Sequence, residues 1–162
     1  MFSKQFFSSS LPQDIEKVLK KTGLAPHHLR VELTERALLE NAEIVLTNMQ
    51  ALKDMGVKIL LDDFGTGYSS LGYLHRFPID VLKIDRSFIS NVDEHNNNRA
   101  IIRTIVDLAN NLQMATVGEG IESLADAQLL QQMDCVYGQG YYFAKPMCSQ
   151  QTKEYIIEQK SK

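Results

Sequence analysis

Apolar positions along the chain follow two rhythms in turn. Leu29-Arg30-Val31-Glu32-Leu33 alternates with the period of a strand, and residues 57–61, Val81-Leu82-Lys83-Ile84 and Met114-Ala115-Thr116-Val117 are short apolar runs of strand length. A fifth strand is expected within residues 135–142. Between these lie longer stretches with the 3.6-residue period of a helix. Ser10 and Pro12 open the first, which carries Ile15, Val18 and Leu19 on one face and stops at Gly23. Asn41 caps the next, with Ile44, Val45, Met49 and Leu52 apolar and Gly56 at its end. A short helix is expected from Ser69 or Ser70 to the break at Phe77-Pro78. After a polar loop at Asn96-Asn97-Asn98, residues 99–112 form a strongly amphipathic helix, and Ser123 caps another that runs to Met133. A polar helix near residues 150–159 finishes the chain. Strand and helix alternating five times predict an α/β fold, a parallel sheet with right-handed crossovers.

Composition narrows what such a sheet could serve. The 162 residues suffice for one compact domain with a real core, and no low-complexity stretch or long linker divides them. A net charge of −3 lacks the basic footprint of a polymeric nucleic-acid or anionic-membrane binder. No apolar run reaches transmembrane length, so no membrane insertion is expected, and residues 1–20 contain no signal-peptide core. Cys135 and Cys148 are too few for a zinc motif or a disulfide framework, which fits a reducing cytoplasm.

The chemistry sits where the apolar runs stop. Residues 57–61 end abruptly in Asp62 and Asp63, followed by Phe64-Gly65-Thr66-Gly67. Adjacent carboxylates repel and are costly beside an apolar core unless a cation lies between them. The pair reads either as a metal site at a strand end or as a turn in which Asp63 satisfies loop amides. The other strand ends repeat the pattern: Glu32 and Glu35, Lys83 and Asp85, Glu119 and Glu122, then Gln139. In parallel α/β architectures ligands sit at this carboxyl end. The excess of carboxylates points to a hard divalent cation, magnesium, manganese or calcium, and with a lone lysine it suits phosphoester hydrolysis. Lys83 would orient a phosphate oxygen or the attacking water, unless it merely pairs with Asp85. His27, His28, His75 and His95 lack carboxylate partners that would make them general bases.

Glu32-Leu33-Thr34-Glu35, residues 62–71, Lys83-Ile84-Asp85, Glu119-Gly120-Ile121-Glu122 and Gln139-Gly140-Tyr141 together resemble the EAL family. That family comprises bacterial, cytoplasmic phosphodiesterases that open cyclic di-GMP to linear pGpG with two Mg2+ or Mn2+ ions in a modified TIM barrel. The resemblance implies metal ligation by Glu32, Asp62, Asp63 and Glu119, with Asp62 bridging the ions. It implies catalytic roles for Glu119 and Lys83, and substrate contacts from Gln139 and Lys83. Glu35 would brace the loop after Asp63, which in the family also helps form the dimer, and Glu122 and Asp85 would support the site. The chain departs from the family pattern in three ways. It lacks the Glu-Ala-Leu motif, Met1 stands where a ligating asparagine is expected, and Asp134 and Val136 replace a usual glycine and aspartate. The expectation is therefore a single partial domain over residues 1–162, the C-terminal two-thirds, with about five parallel βα units of an incomplete TIM-like (β/α) barrel. Its turnover would be weak or absent as an isolated chain, because two ligands of the first metal have no counterpart. The alternative is a catalytically inactive module that binds cyclic di-GMP or a protein partner. Open barrel edges would favour self-association or a covering partner chain.

Overall fold

The computed structural model describes residues 3–66, 74–90 and 96–160. Five parallel strands lie side by side in chain order: β1 (Arg30–Thr34), β2 (Lys58–Phe64), β3 (Val81–Ile84), β4 (Ala115–Gly118) and β5 (Tyr137–Gly138). The described helices are α1 (Leu11–Thr22), α2 (Glu35–Leu39), α3 (Ala42–Asp54), α4 (Arg86–Ile89), α5 (Asn96–Asn111), α6 (Leu124–Gln132) and α7 (Ser149–Lys160). An order that never reverses is the winding of a barrel, not of a doubly wound sheet with a switch point.

Side chains alternate between two faces along each strand. On the outer face Val31, Leu33, Ile59, Leu61, Leu82 and Ile84 join Val45, Met49 and Leu52 of α3 and Ile102, Ile105 and Val106 of α5 in the main core. The inner face holds a smaller cluster of Leu60, Val81 and Val117, with Ala115 packed against it. The sheet is strongly curled. Four strand spacings would put β5 about 19 Å from β1 in a flat sheet, yet the Arg30 guanidinium of β1 lies 5.7 Å from the Tyr137 ring centroid of β5. The result is part of a TIM-like barrel, in which β1 and β5 each have a strand neighbour on one side only among the described residues.

Several boundaries differ from the sequence expectation, each for a local reason. β2 continues through Asp62 and Asp63 to Phe64. Its register against β3 pairs Leu61 with Leu82 but Phe64 with Ile84, so one extra residue is absorbed between them. Asp63 takes it up with φ 55, the left-handed conformation that Asp tolerates better than most residues. Without this bulge the alternation would drive Asp63 into the helix-packed core; with it, Phe64 fills that place. Residues 96–98 begin α5 and are not a loop. The fifth strand shrinks to two residues, Tyr137 and Gly138.

Caps also differ. Ser10 precedes α1, but its hydroxyl donates to Asp14 Oδ2 (2.9 Å) and accepts from no helix amide. Asn41 precedes α3 in a left-handed conformation with no side-chain cap. Ser123 does cap α6, in a reciprocal capping box with Asp126. The start of the helix expected from Ser69 or Ser70 to Phe77-Pro78 lies outside the described residues, as do His95 and Met1.

Candidate active site

The inner face ends in a charged cluster. Glu32 leaves β1, Asp62 leaves β2 and Lys83 leaves β3 on that face, and Glu119 follows the last residue of β4. Lys83 is the hub: its Nζ lies 2.7 Å from Glu119 Oε1, 3.0 Å from Asp62 Oδ1 and 3.2 Å from Glu32 Oε2. Lys83 is only 4% exposed. Burial works against its charge, but the hydrogen bonds to Glu119 and Asp62 outweigh it and hold the ammonium well above the usual lysine range. Three carboxylates share this one cation, and Glu119 shows the consequence. Burial pushes the Glu119 carboxyl up, Lys83 pulls it back, Asp62 and Glu32 add repulsion, and the net shift is upward. Asp63 is raised as well, first by burial and then by Asp62 and Asp85.

The surrounding loops are held by residues with other tasks. Glu35, at the start of α2 and 8% exposed, accepts the Gly65 amide (3.3 Å). Asp62 Oδ1 accepts the Asp63 amide (3.1 Å), and the Asp63 carbonyl takes the Thr66 hydroxyl (2.8 Å). Among the described residues, the Asp63 and Gly65 amides are thus served by Asp62 and Glu35, and no hydrogen bond reaches the Asp63 carboxylate. Asp85 accepts the Ser87 amide (2.9 Å) and so caps α4; it does not pair with Lys83. The Glu119–Glu122 loop hangs between neighbours: the Glu119 amide donates to Ile84 (3.1 Å), the Ile121 amide to the Gln139 carbonyl (3.1 Å). Gln139 and Glu122 line one hollow with Glu119, and Glu122 pairs with Arg86. His27 and His28 pack ring against ring (centroids 4.1 Å) just before β1, at the opposite end of that strand from the charged cluster.

Glu32, Asp62, Lys83 and Glu119 thus meet directly, with Asp63 and Asp85 adjacent. Glu35 braces from behind, and Gln139 and Glu122 lie to one side. Three residues of the neighbourhood escaped the sequence reading. Arg30 could have been found, since it precedes Glu32 by two and must share its face. Tyr137 and Arg86 carried no signal, because β5 has two residues and α4 four.

Three carboxylates on one ammonium, with Asp63 beside them, form an oxygen-only donor set with excess negative charge, which suits a hard divalent cation. In the arrangement described, Lys83 stands in the middle of that set, and among the described residues no three His, Cys, Asp or Glu side chains close around a common point.

The model of the EAL domain matches residues 2–146. The chain belongs to the EAL-domain family. It is 36% identical over 148 residues to the cyclic di-GMP phosphodiesterase NbdA of Pseudomonas aeruginosa, covering 91% of this chain and 19% of that protein. A solved MucR phosphodiesterase in complex with cyclic di-GMP superposes with a TM-score of 0.89 at 38% identity, over 94% of this chain and 62% of that one. A manganese and cyclic di-GMP complex of BlrP1 from Klebsiella pneumoniae gives a TM-score of 0.81 at 28% identity, over 88% of this chain and 36% of the other. The chain thus spans about a fifth of the length of the curated relatives it matches. Among the described residues no helix is long and apolar enough to cross a membrane.

Proposed function

We propose that this EAL-family chain carries the site that hydrolyses cyclic di-GMP to linear pGpG, with weak turnover by the isolated chain because no residue in it stands for two ligands of the first metal. The observation that carries the reading is the convergence of Glu32, Asp62 and Glu119 on Lys83 at the carboxyl ends of β1–β4. Magnesium or manganese, held by Glu32, Asp62, Asp63 and Glu119, would supply Lewis-acid polarisation of the phosphodiester and a water of lowered pKa. The chain's own groups do the rest. Lys83, fixed by three partners, offers an immobile positive charge to a phosphate oxygen or to the attacking water. Glu119 takes a proton from the water as the water oxygen bonds to phosphorus; the bond to one ribose 3′-oxygen breaks, and that oxygen takes a proton from solvent to leave as a hydroxyl. The phosphate left on the 5′ side makes the product linear. Gln139, across the hollow from Glu119, contacts the substrate.

A second reading has one observation in its favour: Glu32, Asp62 and Glu119 are already engaged by Lys83, at 3.2, 3.0 and 2.7 Å. On that reading the chain binds cyclic di-GMP without cutting it. Incubating the full chain with cyclic di-GMP and manganese, and separating the products by chromatography, distinguishes the two. Linear product from wild type that disappears in Asp62→Ala supports hydrolysis. Calorimetric binding with no product supports the receptor.

A further inference from the structure

Asp63 owes its place to the backbone, since among the described residues no hydrogen bond reaches its carboxylate. It takes φ 55 in the bulge near the end of β2, and Gly65 follows with φ 92. Most of the hydrogen bonds around this turn are internal to it. The Thr66 amide and hydroxyl both donate to the Asp63 carbonyl (3.3 and 2.8 Å), and the Asp63 amide donates to Asp62 Oδ1 (3.1 Å). Such bonds shape the turn without seating it on the sheet. From outside, Glu35 accepts the Gly65 amide at 3.3 Å, beyond the usual range of about 2.7–3.2 Å. Against that one long bond stands the mutual repulsion of two adjacent carboxylates, Asp62 and Asp63.

The ring of Phe88 lies against the same turn. A β-carbon on Gly65 would sit 3.2 Å from Phe88 Cε2, 3.3 Å from its Cζ and 3.5 Å from Ile105 Cδ1, so the bare glycine backbone rests on the ring edge. Contacts of this kind are small one by one and add up over a rigid ring. Toward α5 the turn borders a hollow of about 390 Å3 among the described residues, which leaves it little other apolar support on that flank. Phe88 is not what seats its own helix. Asp85 caps the four residues of α4, and Ile89, 1% exposed, anchors them in the main core. Phe88 is only partly buried, at the margin of that core. It links the turn after β2 to the helix after β3, the strand that carries Lys83.

We propose that Phe88 is a positioning residue for Asp63: its ring holds the backbone of residues 63–66 where the Asp63 carboxylate joins Asp62 in binding a divalent cation. This rests on the metal-dependent reading above and adds a residue that touches neither metal nor substrate. The test is calorimetric titration of the full chain with manganese for wild type, Phe88→Ala, Phe88→Leu and Ile89→Val, at a temperature where circular dichroism shows all four folded. Amide hydrogen exchange of residues 63–66 is followed in the same proteins without metal. Phe88→Ala should bind manganese about 10- to 100-fold more weakly, the usual effect of removing a group that orients a ligand, and its 63–66 amides should exchange faster. Phe88→Leu should lose less, because leucine keeps apolar contact with Gly65. Ile89→Val loosens the same helix away from Gly65 and should bind manganese as wild type does, which separates positioning from general destabilisation. Wild-type affinity or wild-type exchange in Phe88→Ala, or an equal loss of affinity in Ile89→Val, would overturn the inference and leave the metal reading intact. Failure of the wild type to bind manganese would remove both.

Discussion

Lys83 sets the electrostatics of the site residue by residue. Its ammonium is 4% exposed and serves three carboxylates at once. Removing the charge strands those carboxylates against one another. Breaking a buried pair typically costs about 3–5 kcal/mol, and the partial exposure of Glu32 and Asp62 brings the expectation for Lys83→Met to about 2 kcal/mol. Thermal unfolding should show that loss at neutral pH, and added manganese should stabilise Lys83→Met more than wild type, since the cation then replaces the missing charge. An equal manganese response in both would contradict the shared use of these carboxylates. The residue scale was also the most legible one in the sequence. Glu32, Asp62, Lys83 and Glu119 stand out because each lies at or just past the carboxyl end of a strand, and they meet because parallel strands bring those ends together. The bulge at Asp63 was not legible: its φ of 55 depends on pairing with β3, which no local pattern records. Asp134, in the place where the family usually has glycine, has φ 61, a conformation glycine would adopt freely.

At the scale of elements, one acidic residue ties the floor of the sheet together. Asp80, just before β3, accepts from Lys53 of α3 (2.7 Å), Lys58 of β2 (2.8 Å) and the Ile59 amide (2.9 Å). Burial alone would raise its pKa, but these donors outweigh burial and leave the folded value depressed. A depressed carboxylate stabilises the fold above its unfolded pKa of about 3.9. That contribution is lost as pH falls through the folded value. Asp80→Asn should therefore be less stable at neutral pH by roughly 1–3 kcal/mol, and the two denaturation curves should converge in acid below about pH 4. A constant gap from pH 7 to pH 3 would mean that Asp80 acts through packing and not through charge. Elements with a long period, such as α3 and α5, were readable from their stripes. Short ones were not: α2 has five residues, α4 four and β5 two, too few to display a period before tertiary contacts impose one.

At the scale of the whole molecule, the five described strands curl without closing. β1 has no described partner on its outer side, and a hollow of about 560 Å3 runs along it, lined by Leu11, Ile15, Val18, Leu29 and Val31 among others. Unpaired strand edges beside apolar surface favour association with another chain. Sedimentation velocity of the full chain should show a mass above that of one copy, rising with concentration; a monomer throughout would contradict the edge argument. Hydrolysis is the central claim, and the fate of a water oxygen tests it most directly. The full chain, turned over on cyclic di-GMP with manganese in 18O-labelled water, should yield linear dinucleotide with one 18O in its terminal phosphate by mass spectrometry, and Asp62→Ala should yield none. Intact cyclic di-GMP after prolonged incubation with wild type, or labelled product from Asp62→Ala at the wild-type rate, would contradict the account.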